Sequence, residues 1–241
     1  MNSIWVITKR ELGSFFDSLT AYILLTVFLG LSGFFTWLYG SDIFFIGQAT
    51  LQPFFSIAMW TLFFFIPALT MRMLAEEKRS GTIELLLTKS VNDWQVILGK
   101  FAACLALIAI ALLLTLPYYI TLSFIGPVDH GAVWAGYFGM LLMSMAYISI
   151  GLFASSITNN QIVAFLLALF VSVFFLIIFD VLAGNFTGSM GQFLNFLSIS
   201  THYESISRGV IDSKDLIYFL SISFFGLMLA ETSLSKRNIV E

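Results

Sequence analysis

Six stretches of the chain, 21–39, 54–71, 101–125, 132–154, 162–179 and 216–234, run almost without a charged side chain. A helix needs about 20 mostly apolar residues to cross the hydrocarbon core of a bilayer, and each stretch meets or approaches that length. The last has the shortest apolar part and carries Glu231 in its final turn, where a carboxylate can lie at headgroup level. The pattern predicts an all-α membrane protein of six transmembrane helices, with both termini on one side.

Ahead of the first stretch, Trp5, Leu12, Phe16 and Leu19 follow one another at helical intervals, with Lys9, Arg10 and Asp17 left for a polar side. Residues 1–20 therefore read as a helix lying in the inner headgroup layer. A cleaved signal peptide is the competing reading, but the apolar run is longer than a signal core and no small-x-small cleavage pattern follows it. Between the fifth and sixth stretches, 180–215 contains Gly184, Gly188 and Gly191, a moderately apolar run 193–199, and then THYESISRGVIDSKD. Backbone amides at membrane depth must be bonded internally, so this segment is expected as a re-entrant helix pair packed on the bundle or as helices at the outer interface. It is too short to hold a core of its own.

Composition agrees with the pattern: with 59% apolar and 10% charged residues, too few polar side chains exist to coat a water-soluble globule. The net charge of -3 excludes a generally basic nucleic-acid binder. Charge position says more than charge sum. Lys9, Arg10, Arg72, Lys78, Arg79, Lys89, Lys100, Lys236 and Arg237 fall on one side of the six crossings, and only Arg208 and Lys214 on the other. Cations collect on the cytoplasmic side, so both termini are expected there. Cys104, alone in the chain, cannot form an intrachain disulfide.

The richest segment is the elbow at 72–100, RMLAEEKRSGTIELLLTKSVNDWQVILGK, set between the second and third stretches. Arg72, Glu76 and Arg79 are spaced to pair along a helix that extends the second span. Gly81 breaks that helix, Thr82 can cap a short one carrying Glu84 and the leucines 85–87, and Ser90 with Asp93 forms a Ser-x-x-Asp start for the third span. Such a short helix, held below the membrane, can press into a groove on a soluble partner and move both flanking spans. A charged loop that merely obeys topology, with its leucines resting on lipid, is the plainer alternative.

The order of these elements, acidic pair Glu76 and Glu77, basic pair Lys78 and Arg79, Gly81 and Thr82, Glu84, a Leu-rich helix and then Gly99 with Lys100, resembles the cytosolic segment of ABC-2 type transporter permeases. Ser90 stands where that family most often has Pro, and either residue starts a helix. The segment 207–221, SRGVIDSKDLIYFLS, is similar to that of the gliding-motility-associated permeases within the family. The resemblance implies a single transmembrane domain over 1–241, of the type V exporter-like permease fold. It implies that 81–88 is a coupling helix docking on a separate ABC ATPase subunit, with Glu76, Glu77, Lys78, Arg79, Gly81, Thr82, Glu84 and Leu85 nearest the contact. ATP and Mg would then belong to that partner, with no cofactor bound by this chain. A second permease copy or a related membrane accessory subunit, surrounding lipids, and a place in the bacterial inner membrane complete what the resemblance implies. Work in gliding motility or protein secretion is the finer implication; export of drugs, lipids or polysaccharides is the alternative.

Rival chemistries are weak in the sequence. A phosphate-binding loop needs Gly-x-x-x-x-Gly-Lys followed by Ser or Thr, whereas Gly99 and Lys100 are followed by Phe101 and preceded at that spacing by Trp94. Ion-coupled carriers hold charges at mid-membrane, and none of the six stretches has one at its centre; Lys100 is placed to snorkel toward the cytosol. His202 lies near Ser200, Glu204 and Ser205, but Ser189 lacks a Gly-x-Ser-x-Gly setting and His130 is remote in sequence, so a hydrogen-bonded interfacial His is expected. Thr115, Tyr118, Tyr119 and Thr121, around Pro117, form a more polar patch near the outer end of span three. They are candidates for a substrate path, and packing hydroxyls would look the same in sequence.

Overall fold

The computed structural model describes residues 3–38, 47–82 and 92–235. Among the described residues, six helical units are long and apolar enough to cross a membrane: Leu19–Trp37, Gln52–Ser80, Asp93–Ile125, His130–Ser156, Gln161–Asn185 and Ser213–Ser235. They coincide with the six predicted stretches and overrun most of them at their polar ends. The helices are α1 (Ser3–Asp17), α2 (Leu19–Trp37), α3 (Gln52–Thr70), α4 (Ala75–Ser80), α5 (Asp93–Leu113), α6 (Leu116–Ile125), α7 (His130–Ser156) and α8 (Gln161–Val173). A π-helical turn, Phe174–Ile178, joins α8 to α9 (Phe179–Asn185), and α10 (Ser189–Leu197), α11 (Ile199–Ser207) and α12 (Ser213–Ser235) follow.

Polar residues in the connections set most of the boundaries. Asp129 caps α7 by accepting the Ala132 amide at 3.1 Å, and Asn160 caps α8 by accepting that of Ile162 at 2.9 Å. The third span starts differently from the Ser90–Asp93 expectation: Asn92 is the cap, and Gln95 Oε1 accepts its amide at 3.3 Å. Ser90 itself lies outside the described residues. Farther along, the span bends at Leu114 and Thr115, because Pro117 in the next turn brings no amide to continue the ladder. The fifth span outruns its expected end at Phe179, since the π turn carries the chain on to Asn185.

The hub is α7, whose most apolar window is 78% buried against 22% for the fifth span. It packs against α3, α5, α8, α11 and α12. Small residues let these crossings close. A Cβ on Gly151 would stand 2.0 Å from Thr70 Oγ1, one on Gly136 2.4 Å from the Phe55 ring, and one on Gly226 2.6 Å from Ser149 Oγ. Among apolar helices in lipid, such close approach supplies the van der Waals contact that holds a bundle together. The outer flanks keep large apolar residues exposed, including Ile23, Leu166, Phe170, Phe224 and Phe225, as lipid-facing surfaces require.

Two ends follow from the topology: the elbow end, where α1, α4 and the foot of α5 gather, and the distal end, where α9 to α11 lie. At the distal end α11 buries Ile199, His202, Tyr203 and Ile206. His202 is hydrogen-bonded, as expected, and is buried among the distal helices. Its Nδ1 lies 2.6 Å from Asp215 Oδ1, its Nε2 2.9 Å from the Phe196 carbonyl, and its ring stacks on Tyr218 at 3.9 Å. Both ring nitrogens are thereby committed to α12 and α10, so this histidine fastens three helices together.

Candidate functional site

The elbow leaves the second span in two steps. After Thr70 the chain turns through Met71 to Leu74, and Ser155, near the end of the hub helix, holds that turn. Its Oγ accepts the amides of Leu74 and Ala75 at 3.0 Å each and donates to the Met71 carbonyl at 3.0 Å. Orphaned backbone groups between two helices are thus satisfied by one side chain. Because of this turn Arg72 does not continue into α4. Its guanidinium reaches Ser18 Oγ at 3.3 Å and lies over the Phe15 ring at 5.7 Å, in place of the expected run of pairs with Glu76 and Arg79.

Helix α4 has acids in its first turn, Glu76 and Glu77, and bases in its last, Lys78 and Arg79, the order its dipole favours. Gly81 closes it at φ 68°, a left-handed conformation open to glycine at no steric cost. The predicted break is therefore where the sequence puts it. Thr82, expected as the cap of a following helix, is itself helical. Residues 83–91, and with them Glu84 and Leu85, lie outside the described residues.

One turn after Met71, the helix divides its charges between two faces. Glu76, Arg79, Ser80, Gly81 and Thr82 are exposed. Glu77 and Lys78 turn back toward the bundle. Lys78 Nζ donates to the carbonyl of Ser156, which also accepts from Ser233 Oγ at 3.0 Å, so the last turn of α7 holds both α4 and α12.

Glu77 enters an ion network that the sequence did not disclose. Lys100, 1% exposed, places Nζ 2.7 Å from Glu77 Oε1 and 3.2 Å from Glu11 Oε1. Arg10 closes the group from the solvent side, 2.5 Å from Glu11 and 3.6 Å from Glu77. Two cations thus face two carboxylates drawn from α1, α4 and α5. The expected snorkelling of Lys100 does not occur, because α1 lies across the foot of α5 and brings a carboxylate to the ammonium. Burial pushes the Glu11 carboxyl up, and the Lys100 charge with Arg10 outweighs it, leaving Glu11 below its ordinary value.

Gly99 makes that crossing close. A Cβ there would stand 2.6 Å from Ile7 Cγ2, and Thr8 Oγ1 donates to the Gly99 carbonyl at 3.2 Å. The bundle-facing side of α1 is thus Ile7, Thr8, Glu11 and Phe15. Trp5 of the predicted apolar face is exposed, Leu12 and Phe16 are partly buried, and Leu19 lies beyond the Ser18 break in α2. Glu11 was missed in the sequence, where the signal that could have found it is an acid one helical turn after Ile7 and one before Phe15.

Of the substrate-path candidates, Thr115 and Tyr118 lie about Tyr137 and Phe54, and Tyr119 joins them through Trp134. Thr115 is buried, donates to the Leu112 carbonyl at 2.6 Å and meets Tyr137 at 3.0 Å. Tyr118 donates to the Leu29 carbonyl at 3.2 Å, Tyr119 meets His130 Nδ1 at 2.7 Å, and Thr121 is exposed.

Among the described residues, the elbow is a charged bracket fastened to the foot of the bundle. No curated protein matches the sequence. A family model described as an ABC-2 family transporter protein matches residues 20–235, from the first span through the last, and the chain belongs to that family.

Proposed function

We propose that the exposed face of α4, together with the segment that follows it, is where a separate ABC ATPase docks on this permease. Family membership makes the chain the non-catalytic membrane subunit of an ABC transporter, and such permeases pair with an ATPase subunit. The observation that carries the proposal is the division of charge on α4. Glu77 and Lys78 grip the bundle, while Glu76, Arg79, Ser80, Gly81 and Thr82 are exposed on the other side. A helix held this way passes a push on its exposed face directly to spans two, three and four.

Orientation follows from the cations. Lys9, Arg10, Arg72, Lys78, Arg79 and Lys100 belong to the elbow end, Arg208 and Lys214 to the distal end, and this asymmetry supports a chain in the bacterial inner membrane with the elbow and both termini facing the cytoplasm. Nucleotide and Mg bind the partner, and a second permease copy or a related membrane subunit completes the paired bundle. The likeness of 207–221 to the gliding-motility-associated permeases, the group of GldF, supports work in gliding or protein secretion. Export of drugs, lipids or polysaccharides by the same architecture is the alternative, and the companion chains recovered with the complex discriminate.

Exchange of Glu84 for Lys tests the docking. Purification from native membranes in mild detergent recovers a P-loop ATPase with vanadate-sensitive hydrolysis from the wild type and loses it from Glu84→Lys, while Glu204→Lys at the distal end retains it. Recovery of the wild-type chain with no ATPase would sink the proposal.

A further inference from the structure

Lys100 is buried at the foot of span three, yet it binds nothing of its own helix: one carboxylate comes from α1 and the other from α4. These two helices are otherwise joined through Arg10, which is half exposed. An exposed pair is worth little and screens away in salt, whereas a desolvated ammonium between two carboxylates is held strongly and breaks only at high cost. We infer that Lys100 is a positioning residue that makes α1, α4 and the foot of α5 move as one body, so that a displacement of the elbow is carried into the N-terminal helix.

This rests on the docking proposed above and adds a direction to it. A push on α4 has an evident route into the hub through Ser155 and Ser156. Lys100 supplies a second route, along Glu77 and Glu11, into α1 and from there through Ser18 into the first span, where Arg72 also bonds. Contact through Gly99 and Ile7 keeps α1 seated when the charges are removed, but apolar contact allows sliding that a buried ion pair at fixed geometry resists. Seating and transmission can therefore be separated by experiment.

Glu11→Met removes the link to α1 alone, since Lys100 keeps Glu77. Spin labels at Lys9→Cys and Asn159→Cys, both exposed, report the position of α1 relative to the α7–α8 connection in the assembled transporter. In the wild type the distance is expected to change on trapping with ATP and vanadate. In Glu11→Met the resting distance and the capture of ATPase stay as in the wild type, and the ATP-dependent change is lost. Lys100→Met with Glu11→Met, which removes one charge of each sign, gives the same loss. A full wild-type displacement in a variant that still captures ATPase would overturn the inference, as would loss of capture in a folded variant, because the network would then shape the docking face. Failure of the wild type to capture any ATPase strikes the docking proposal itself and is told apart by that result.

Discussion

At Lys100 the chemistry of a single side chain decides how a membrane foot is built. Lys100→Ala leaves Glu11 and Glu77 with Arg10 alone, and breaking a buried pair by deleting one partner costs about 3–5 kcal/mol. Thermal unfolding in detergent should show that loss, and replacing both carboxylates by Gln in the same chain should restore much of it. The acid limit has a definite sign. Because Glu11 is held below its ordinary value, its contribution is complete above the ordinary carboxylate range and disappears as pH falls through its lowered value. A label at Lys9→Cys is expected to gain mobility only once the pH has fallen below the ordinary carboxylate range, and Glu11→Gln to abolish that step. Gly99→Ala should cost about 1–3 kcal/mol through the clash with Ile7, and Ile7→Ala should relieve it in a double-mutant cycle. Little of this was legible in the sequence. The Gly-Lys pair was visible as part of a resemblance, but its close crossing belongs to a helix 91 residues earlier at Thr8, and its buried cation to Glu11, 89 residues earlier, and to Glu77 in the elbow.

Elements were easier to read than their joints. The six spans follow from apolar length, a property local to each, and the break at Gly81 follows from a residue suited to left-handed backbone. The turn at Met71 to Leu74 does not, because Ser155, which holds it, lies in α7. Without that turn α4 would continue the second span in phase, and Glu77 would leave its place opposite Lys100. Arg72 shows the same point, since its partners Ser18 and Phe15 lie in the N-terminal segment. Ser155→Ala strands the amides of Leu74 and Ala75, a loss of about 1–3 kcal/mol for each buried donor left unsatisfied. Hydrogen exchange at those two amides is expected to rise in the variant, with exchange across α11 unchanged. The distal segment was foreseen either as a re-entrant helix pair or as helices at the outer interface, but not how it attaches: His202 and Asp215 stand thirteen positions apart and meet across two helices.

Over the whole molecule, the hub helix orders everything else. Five other helices lean on α7, its early glycine meets Phe55 and its final serines hold the elbow, so one buried rod runs from the distal cap to the charged bracket. Composition predicted a membrane bundle, and charge position predicted which end would face the cytosol; neither could say that one span would be almost sheathed by the rest. The buried lysine also bears on how the chain is made. Synthesis runs from the N-terminus, so Glu11 and Glu77 have both left the ribosome before Lys100 emerges. The cation thus enters the membrane boundary where its two counter-charges already wait, and a rearranged gene that translated α1 last would deliver it there with only one.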